Sequence, residues 1–169
     1  MNREHTIQHG IKDNWQQFSL LVLVNAFVGA MIGLERAVLP GLGKDIFGLD
    51  ANTAILSFIM AFGITKAISN YSVAKLSKRF NRKHILITGW LFALPVPLLL
   101  MYAESWTCII IGNIFLGIIQ GFAWSTTVIM KVDIVGQKNR GLAMGINEFA
   151  GYLSVGLASY LASSLASTY

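Results

Sequence analysis

Residues 106–130 read WTCIIIGNIFLGIIQGFAWSTTVIM, an apolar run that contains no charged residue. A helix rises about 1.5 Å per residue, so a run of this length can cross the roughly 30 Å of hydrocarbon in a bilayer. The whole 169-residue chain has the same character: 54% is hydrophobic, only 12% is charged, and the mean hydropathy is +0.60. An average soluble domain has roughly twice that charged fraction. The sequence therefore predicts an integral membrane protein.

Four further stretches are also predominantly apolar and long enough to cross a bilayer, and they are bounded by polar or turn-forming residues. Together they predict an all-α, polytopic membrane helix bundle over residues 18–169. A polar, cytoplasmic segment at 1–17 precedes the bundle, and we predict no cleaved targeting signal. The five predicted segments are called spans 1 to 5 in chain order. Their approximate limits are 18–40, 53–75, 85–103, 106–130 and 141–167.

Basic residues orient these spans, because ten of them fall on one predicted side of the membrane and only Lys44 falls on the other. Cytoplasmic loops carry an excess of Lys and Arg, so the N-terminus is predicted to be cytoplasmic, in the plasma (inner) membrane. The same clustering explains the net charge of +5 without a nucleic-acid partner, which would need a basic face on a soluble surface. The ten residues are Arg3, Lys12, Lys75, Lys78, Arg79, Arg82, Lys83, Lys131, Lys138 and Arg140.

Small and polar side chains recur at helical spacing in four spans, so each set shares one face of its helix. Two interpretations stay open. Such faces allow close helix packing, but Asn25, Gln120 and Trp124 fit the lining of a cavity equally well. The faces are Asn25, Gly29, Gly33 and Arg36 in span 1; Gly63, Lys66 and Asn70 in span 2; Asn113, Gly117, Gln120, Trp124 and Thr127 in span 4; and Gly141, Gly145, Glu148, Tyr152 and Gly156 in span 5.

Ionisable side chains inside a span are costly in lipid, so each suggests a function by default. Glu148 lies about eight residues, or roughly 12 Å, into span 5, and Lys66 lies at a similar depth in span 2. The alternative is a structural ion pair or, for Lys66, extension towards the headgroups. Glu148 is predicted to be the only deep acidic residue. Glu35 and Arg36 are expected near the outer end of span 1, with an interfacial position, a local salt bridge or solute contact left open.

No set of reactive side chains points to an enzyme. His5, His9 and His84 lie outside the apolar spans without spaced carboxylate or cysteine partners. Cys108 stands alone in an apolar run, as a small buried residue would. We therefore predict no catalytic residues, no metal ligands and no cofactor.

The loop after span 2 carries the most specific motif. Residues 74–83 read AKLSKRFNRK and resemble the signature between helices 2 and 3 of the major facilitator superfamily, Gly-x-Leu-Ala-Asp-Arg-x-Gly-Arg-Arg/Lys. Lys78 stands where that family usually has aspartate. The matching residues are Leu76, Arg79, Arg82 and Lys83.

Two patterns at the end of span 4 are similar to the same family. Asp133-x6-Arg140-Gly141 resembles the acidic-x6-Arg-Gly pattern between helices 4 and 5. Gln120-Gly121 resembles the Gln-Gly of the helix 4 motif, but Gly117 stands where the family has arginine. The resemblance assigns Leu76, Lys78, Arg79, Arg82, Lys83, Asp133 and Arg140 to a cytoplasmic gating motif.

The resemblance implies a fold of twelve helices in two halves, with the solute held between the halves at the midplane. This sequence would supply helices 1–5, as an N-terminal fragment or a truncated form that lacks its C-terminal half or a partner chain. A small-molecule solute and the lipid bilayer are the implied partners. The residues implied in the pathway or in coupling are Asn25, Arg36, Lys66, Asn113, Gln120, Trp124, Glu148 and Tyr152.

Two functions remain open at this point. The first is secondary active transport of a small solute by alternating access, with proton coupling through Glu148 as an option. The second is a non-transporting membrane subunit that packs against another membrane protein through its glycine faces. The polar lining fits sugars, amphipathic drugs or organic anions equally well.

Overall fold

The computed structural model describes residues 10–167, apart from the side chains of Ala51 and Ala54, and every regular element in that range is helical. A π-helical turn at Gln120–Trp124 joins α5 to α6, and a 3-10 turn at Gln137–Asn139 joins α6 to α7. The helices are α1 Trp15–Asp45, α2 Ala51–Leu76, α3 Arg82–Leu91, α4 Pro95–Met101, α5 Trp106–Ile119, α6 Ser125–Val135 and α7 Arg140–Ala166.

Four helical segments among the described residues are long and apolar enough to cross a membrane. They are Trp15–Asp45, Arg82–Met101, Trp106–Val135 and Gln137–Ala166. Helix α2 is not one of the four, although its 26 residues extend about 39 Å at 1.5 Å per residue. The prediction of an all-α membrane bundle is therefore confirmed. Five as the number of spans stays a prediction, and so do their limits, because a helix end is not a membrane boundary.

Helices α1 and α7 run parallel and form the most extensive contact of the bundle. Their backbones approach at Gly29 and Gly151, where a Cβ on Gly29 would collide with the Gly151 carbonyl oxygen. Ser154 and Ser159 of α7 donate their hydroxyls to the carbonyls of Ala26 (2.6 Å) and Gly33 (2.9 Å) on α1. Small residues and hydroxyl groups therefore hold this pair together, as is usual between helices in lipid.

Helices α2 and α5 form a second parallel pair. A Cβ on Gly117 of α5 would lie 2.7 Å from the carbonyl oxygen of Phe62, so only glycine permits this approach. At the other end of the pair, the Trp106 indole donates to the Ser57 hydroxyl at 2.8 Å. These contacts place α2 against the same long segment, Trp106–Val135, that also contacts α1 and α7.

An apolar core lies where these helices meet, and the outside of the bundle is also apolar. Val28, Phe62 and Leu116 are buried at the centre, whereas Ile68 on α2 and Leu161 on α7 are largely exposed. A helix that is apolar all round suits a lipid environment. The exposed apolar side chains are thus the surface that lipid would cover.

Two predicted spans depart from a regular helix. Span 3 was expected to be continuous, but it divides into α3 and α4 at 92–94, because Pro95 begins a new helix and has no N–H to continue the old one. Span 4 contains the π-helical turn Gln120–Trp124, a feature that often marks functional sites. Span 1 continues as α1 to Asp45, with Pro40 inside the helix.

The glycine packing prediction is confirmed within the bundle for some positions and stays a prediction for others. Gly29, Gly33 and Gly117 pack closely, as expected. The remaining predicted glycines do not pack within the described bundle, because no heavy atom of the described residues lies within 4 Å of the point that a Cβ would occupy, and packing against another protein stays a prediction for them. On α7 the packed face includes Asn147 and Gly151, about a third of a turn from the predicted one. These glycines are Gly63, Gly141, Gly145 and Gly156.

Candidate functional site

Cationic side chains and aromatic rings alternate along one side of the bundle. The guanidinium carbon of Arg36 on α1 lies 5.8 Å from the centroid of the Phe62 ring on α2. The Lys66 ammonium nitrogen, also on α2, lies 5.9 Å from that centroid and 5.5 Å from the Trp124 ring. The Trp124 indole N–H donates to Glu148 Oε1 on α7 at 3.0 Å. We call Arg36, Phe62, Lys66, Trp124 and Glu148 the cation–aromatic ladder.

The ladder is reached from outside the protein. Arg36 is exposed, and Lys66, Trp124 and Glu148 are each partly exposed. Tyr152 lies one turn after Glu148, is 66% exposed, and packs edge-on against Trp124 with ring centroids 5.8 Å apart. A polar face of this kind cannot be left against lipid without cost, so it calls for water, a solute or another protein surface.

A second network of hydrogen bonds, buried between the helices, contacts Glu148 through Asn147. Lys131 on α6 is only 1% exposed, and its ammonium donates to the Leu21 carbonyl at 3.0 Å and to Asn147 Oδ1. Asn147 in turn donates to Glu148 Oε1 at 2.8 Å. The Asn25 amide of α1 donates to the Asn147 backbone carbonyl at 3.0 Å. We call Lys131, Asn147, Asn25 and Leu21 the buried lysine network; it fixes the carboxylate that ends the ladder.

Lys131 corrects the prediction from sequence. The sequence places it among the ten loop cations, but it is 1% exposed and bonds between helices to Leu21 and Asn147, so it does not contribute to the charge of a loop. Arg3 is outside the described residues. The signal was present in the sequence, because Lys131 follows Thr127 by four positions and continues the polar face of span 4. The run of hydrophobic residues around it, up to Val135, continues the helix past the predicted end at 130.

Glu35 is buried by a partner on another helix. Its side chain is 7% exposed and hydrogen-bonds to the Asn113 side chain, so the predicted alternative of a local salt bridge with Arg36 is wrong, and its level in the membrane stays a prediction. Its Oε2 atom has no hydrogen-bond partner within the described part of the chain. A cavity of about 10 Å³, close to the size of one water, lies beside Glu35, Arg36 and Asn113. Glu148 is therefore not the only acidic residue of a predicted span that contacts a polar side chain of another helix, and its unique depth in the membrane stays a prediction.

The structure brings together most of the residues predicted for the pathway. Arg36, Lys66, Trp124, Glu148 and Tyr152 gather along the ladder. The three other predicted residues are buried between helices: Asn25 in the lysine network, Asn113 beside Glu35, and Gln120 on the π-helical turn. Contact of these three with a solute stays a prediction.

The two halves of the predicted gating motif meet at one end of the bundle. Arg82, at the start of α3, forms an ion pair with Asp133 of α6. A cleft of about 480 Å³ opens beside this pair and is lined by Asn81 and Lys83 among others. Leu76 is partly buried, whereas the remaining motif residues are exposed. These are Lys78, Arg79, Lys83 and Arg140.

Comparison with known families decides what kind of protein carries this site. The model of the Major Facilitator Superfamily matches residues 18–169, which is nearly the whole chain. The chain belongs to the major facilitator superfamily. The family predicted from the 74–83 loop is thereby confirmed. The helical bundle of the described residues agrees with this match.

One curated relative of this superfamily member is an uncharacterized MFS-type transporter from Schizosaccharomyces pombe. The two are 24% identical over 130 residues, which is 75% of this chain and 29% of the relative. The chain thus spans less than a third of the length of that relative. No solved structure matches. Within residues 10–167, no three His, Cys, Asp or Glu side chains are grouped to hold a metal ion.

Proposed function

We propose that this chain is part of a secondary active transporter that moves a small solute across the membrane by alternating access. The cation–aromatic ladder carries the proposal. Arg36, Lys66 and Glu148 come from three different helices, and each would cost several kcal/mol in lipid unless it faced water or a partner. A membrane bundle retains such groups where a solute or an ion passes.

Proton coupling through Glu148 forms part of this proposal. Both hydrogen bonds to its carboxylate, from Trp124 and Asn147, end on Oε1. These two donors hold the group in place at the partly exposed end of the ladder, and a carboxylic acid in that position can exchange a proton with a water-filled cavity. A change of charge at Glu148 would act on Lys66, which interacts electrostatically with it.

The side chains of the ladder must also be shielded from lipid and from one side of the membrane at a time. They form an open face of the helices described by the structure, whereas the solute of an alternating-access transporter must be enclosed from each side in turn. We propose that a second set of helices, in the same polypeptide or in a partner chain, closes over this face. The bundle is proposed to lie in the plasma membrane with its N-terminus in the cytoplasm, since the basic loops lie at that end.

Solute binding and uptake by the protein as its gene encodes it test this function. The purified protein would be screened for thermal stabilisation by a panel of sugars, cationic drugs and organic anions, because a bound ligand raises Tm. Solutes that stabilise it would then be followed as labelled compounds into reconstituted vesicles. Saturable uptake is expected for at least one of them. Absence of both stabilisation and uptake would contradict the proposal.

The second candidate, a non-transporting subunit, is favoured by one observation. Gly145 and Gly156 on α7 have no atom of the described residues near them, so another helix could pack closely there. The same vesicle experiment separates the two functions. A subunit would co-purify with a distinct membrane protein in fixed ratio and would take up no solute.

A further inference from the structure

We infer that the solute is a small organic carboxylate, with its carboxylate bound between Arg36 and Lys66 and its body against Trp124 and Tyr152. This inference rests on the proposed transport function and names the chemical class of the solute. It starts from the position of the two cations. Both lie within 6 Å of the centroid of the same ring, Phe62, one on α1 and the other on α2.

Neither Arg36 nor Lys66 forms an ion pair with a carboxylate of the described residues. Within residues 10–167, the ion pair found is that of Arg82 with Asp133, at another part of the bundle. Glu35 precedes Arg36 in the chain, but its side chain is buried beside Asn113 while Arg36 is exposed. Glu148 attracts Lys66 electrostatically, but the two side chains contact each other only through Trp124 in the described bundle. With two cations and one carboxylate, the cation–aromatic ladder therefore keeps a net positive formal charge.

Two like charges near the same aromatic ring are unfavourable by themselves. They repel each other, and the attraction of Lys66 to Glu148, which is stronger than its repulsion by Arg36, leaves the charge of Arg36 without an opposite charge. Each cation would also lose hydration when the proposed second set of helices covers the ladder. A solute carboxylate removes both costs, because an Arg guanidinium binds it through two parallel hydrogen bonds and a Lys ammonium adds a point charge. A cationic solute would increase the repulsion, and a neutral one would leave it unchanged.

The rings beside the cations suit the rest of such a solute. Tyr152 is 66% exposed and meets Trp124 edge-on, so the two rings form an apolar wall next to Lys66. Aromatic and other planar groups pack favourably on such rings with centroids about 4.5–7 Å apart. The wall lies on the Glu148 side of Lys66, which orients a bound solute with its carboxylate towards Arg36.

The charge of the solute can be tested with probes that share one ring. Benzoate, benzamide and benzylamine would be compared for thermal stabilisation of the protein as its gene encodes it, and hexanoate would be compared with hexanamide. In each set we expect the carboxylate to bind at least tenfold more tightly than its amide. The amine is expected to bind no better than the amide. If an amide or amine binds as tightly as its carboxylate, the inference is wrong.

Substitutions at the two cations test the location of the site. Arg36→Gln and Lys66→Gln are each expected to weaken benzoate binding at least tenfold, and Arg36→Lys to retain part of it. Lys75→Gln is the matched control, because Lys75 lies on the same helix and also stacks on a ring, that of Tyr71 at 5.1 Å. Equal losses for Lys75→Gln and Lys66→Gln would overturn the site.

The outcomes separate this inference from the function on which it rests. If neutral or cationic solutes are taken up and carboxylates are not preferred, transport stands and the carboxylate class is wrong. If no solute binds and none is taken up, the proposed function fails and the inference fails with it.

Discussion

Trp124 donates its indole N–H to the Glu148 carboxylate at 3.0 Å while its ring lies 5.5 Å from the ammonium of Lys66. A single side chain thus connects a cation on α2 with an anion on α7. The residue sits on a π-helical turn, where the regular hydrogen bonding of the helix changes. A movement of α7 relative to α2 must alter this contact, so Trp124 is well placed to relate the charge of Glu148 to the arrangement of the helices.

The first prediction concerns Glu148→Gln. A glutamine keeps the shape and an oxygen that can accept from Trp124 and Asn147, but it cannot bind and release a proton. Membrane insertion and exchange of solute across vesicles should persist, whereas accumulation driven by a pH gradient should be lost. Glu104→Gln, on an exposed turn, is the control and should behave like the wild type. Normal accumulation by Glu148→Gln would make this carboxylate structural.

The second prediction concerns the buried Lys131. Lys131→Met removes the donor to the Leu21 carbonyl and to Asn147 Oδ1, and leaves both acceptors without it. Loss of a partner for buried polar groups costs about 1–3 kcal/mol, so we expect a lower free energy of unfolding in detergent. Lys138→Met, at an exposed position, should leave it unchanged. Equal or greater stability of Lys131→Met would show that the network does not stabilise the fold.

A pair of glycines on α7 provides the third prediction. A Cβ on Gly151 would collide with the Trp124 ring and lie 2.7 Å from the Asn25 amide, whereas nothing described lies near Gly156. Gly151→Ala should therefore destabilise the protein by about 1–3 kcal/mol through overpacking. Gly156→Ala should be neutral or stabilise it by up to about 1 kcal/mol, because alanine favours helix. Thermal unfolding in detergent compares them. Equal effects would argue against the close contact of α1 with α7.

The fourth prediction concerns the ion pair of Arg82 and Asp133. Both side chains are partly exposed, at 38% and 44%, so the coupling measured by a double-mutant cycle should be only about 0.2–1 kcal/mol. Arg82→Asp or Asp133→Arg alone should slow transport with little change in solute preference, since the pair lies away from the ladder. The double exchange should restore part of the rate. A change in preference at normal rate would contradict the assignment to gating.

The fifth prediction is the orientation of the bundle. A reporter fused after Arg82 should be cytoplasmic, and one fused after Glu104 should lie outside, because the basic loops are expected to stay in the cytoplasm. Without Lys131, nine basic residues are still expected on the cytoplasmic side and only Lys44 on the other side. The opposite labelling at both sites would reverse the proposed topology.

Several properties of this protein are local, and the sequence predicted them. Apolarity is a sum over consecutive residues, so the run at 106–130 alone indicates a membrane helix. The 74–83 loop indicated the family, which the match over residues 18–169 then showed. The positions of Arg36, Lys66, Trp124 and Glu148 inside apolar segments marked them as candidates without any knowledge of their neighbours.

Other properties depend on which helices meet, and only the tertiary structure decided them. Periodicity places Gly145 and Glu148 on one face of α7, but it does not say which face meets α1; contact with Gly29 selects Gly151 and Asn147 instead. Glu35 and Lys131 look like residues near the ends of spans, yet partners on other helices bury both. A charged group can be buried only where a distant segment supplies its hydrogen bonds, and that pairing is set by packing rather than by local sequence.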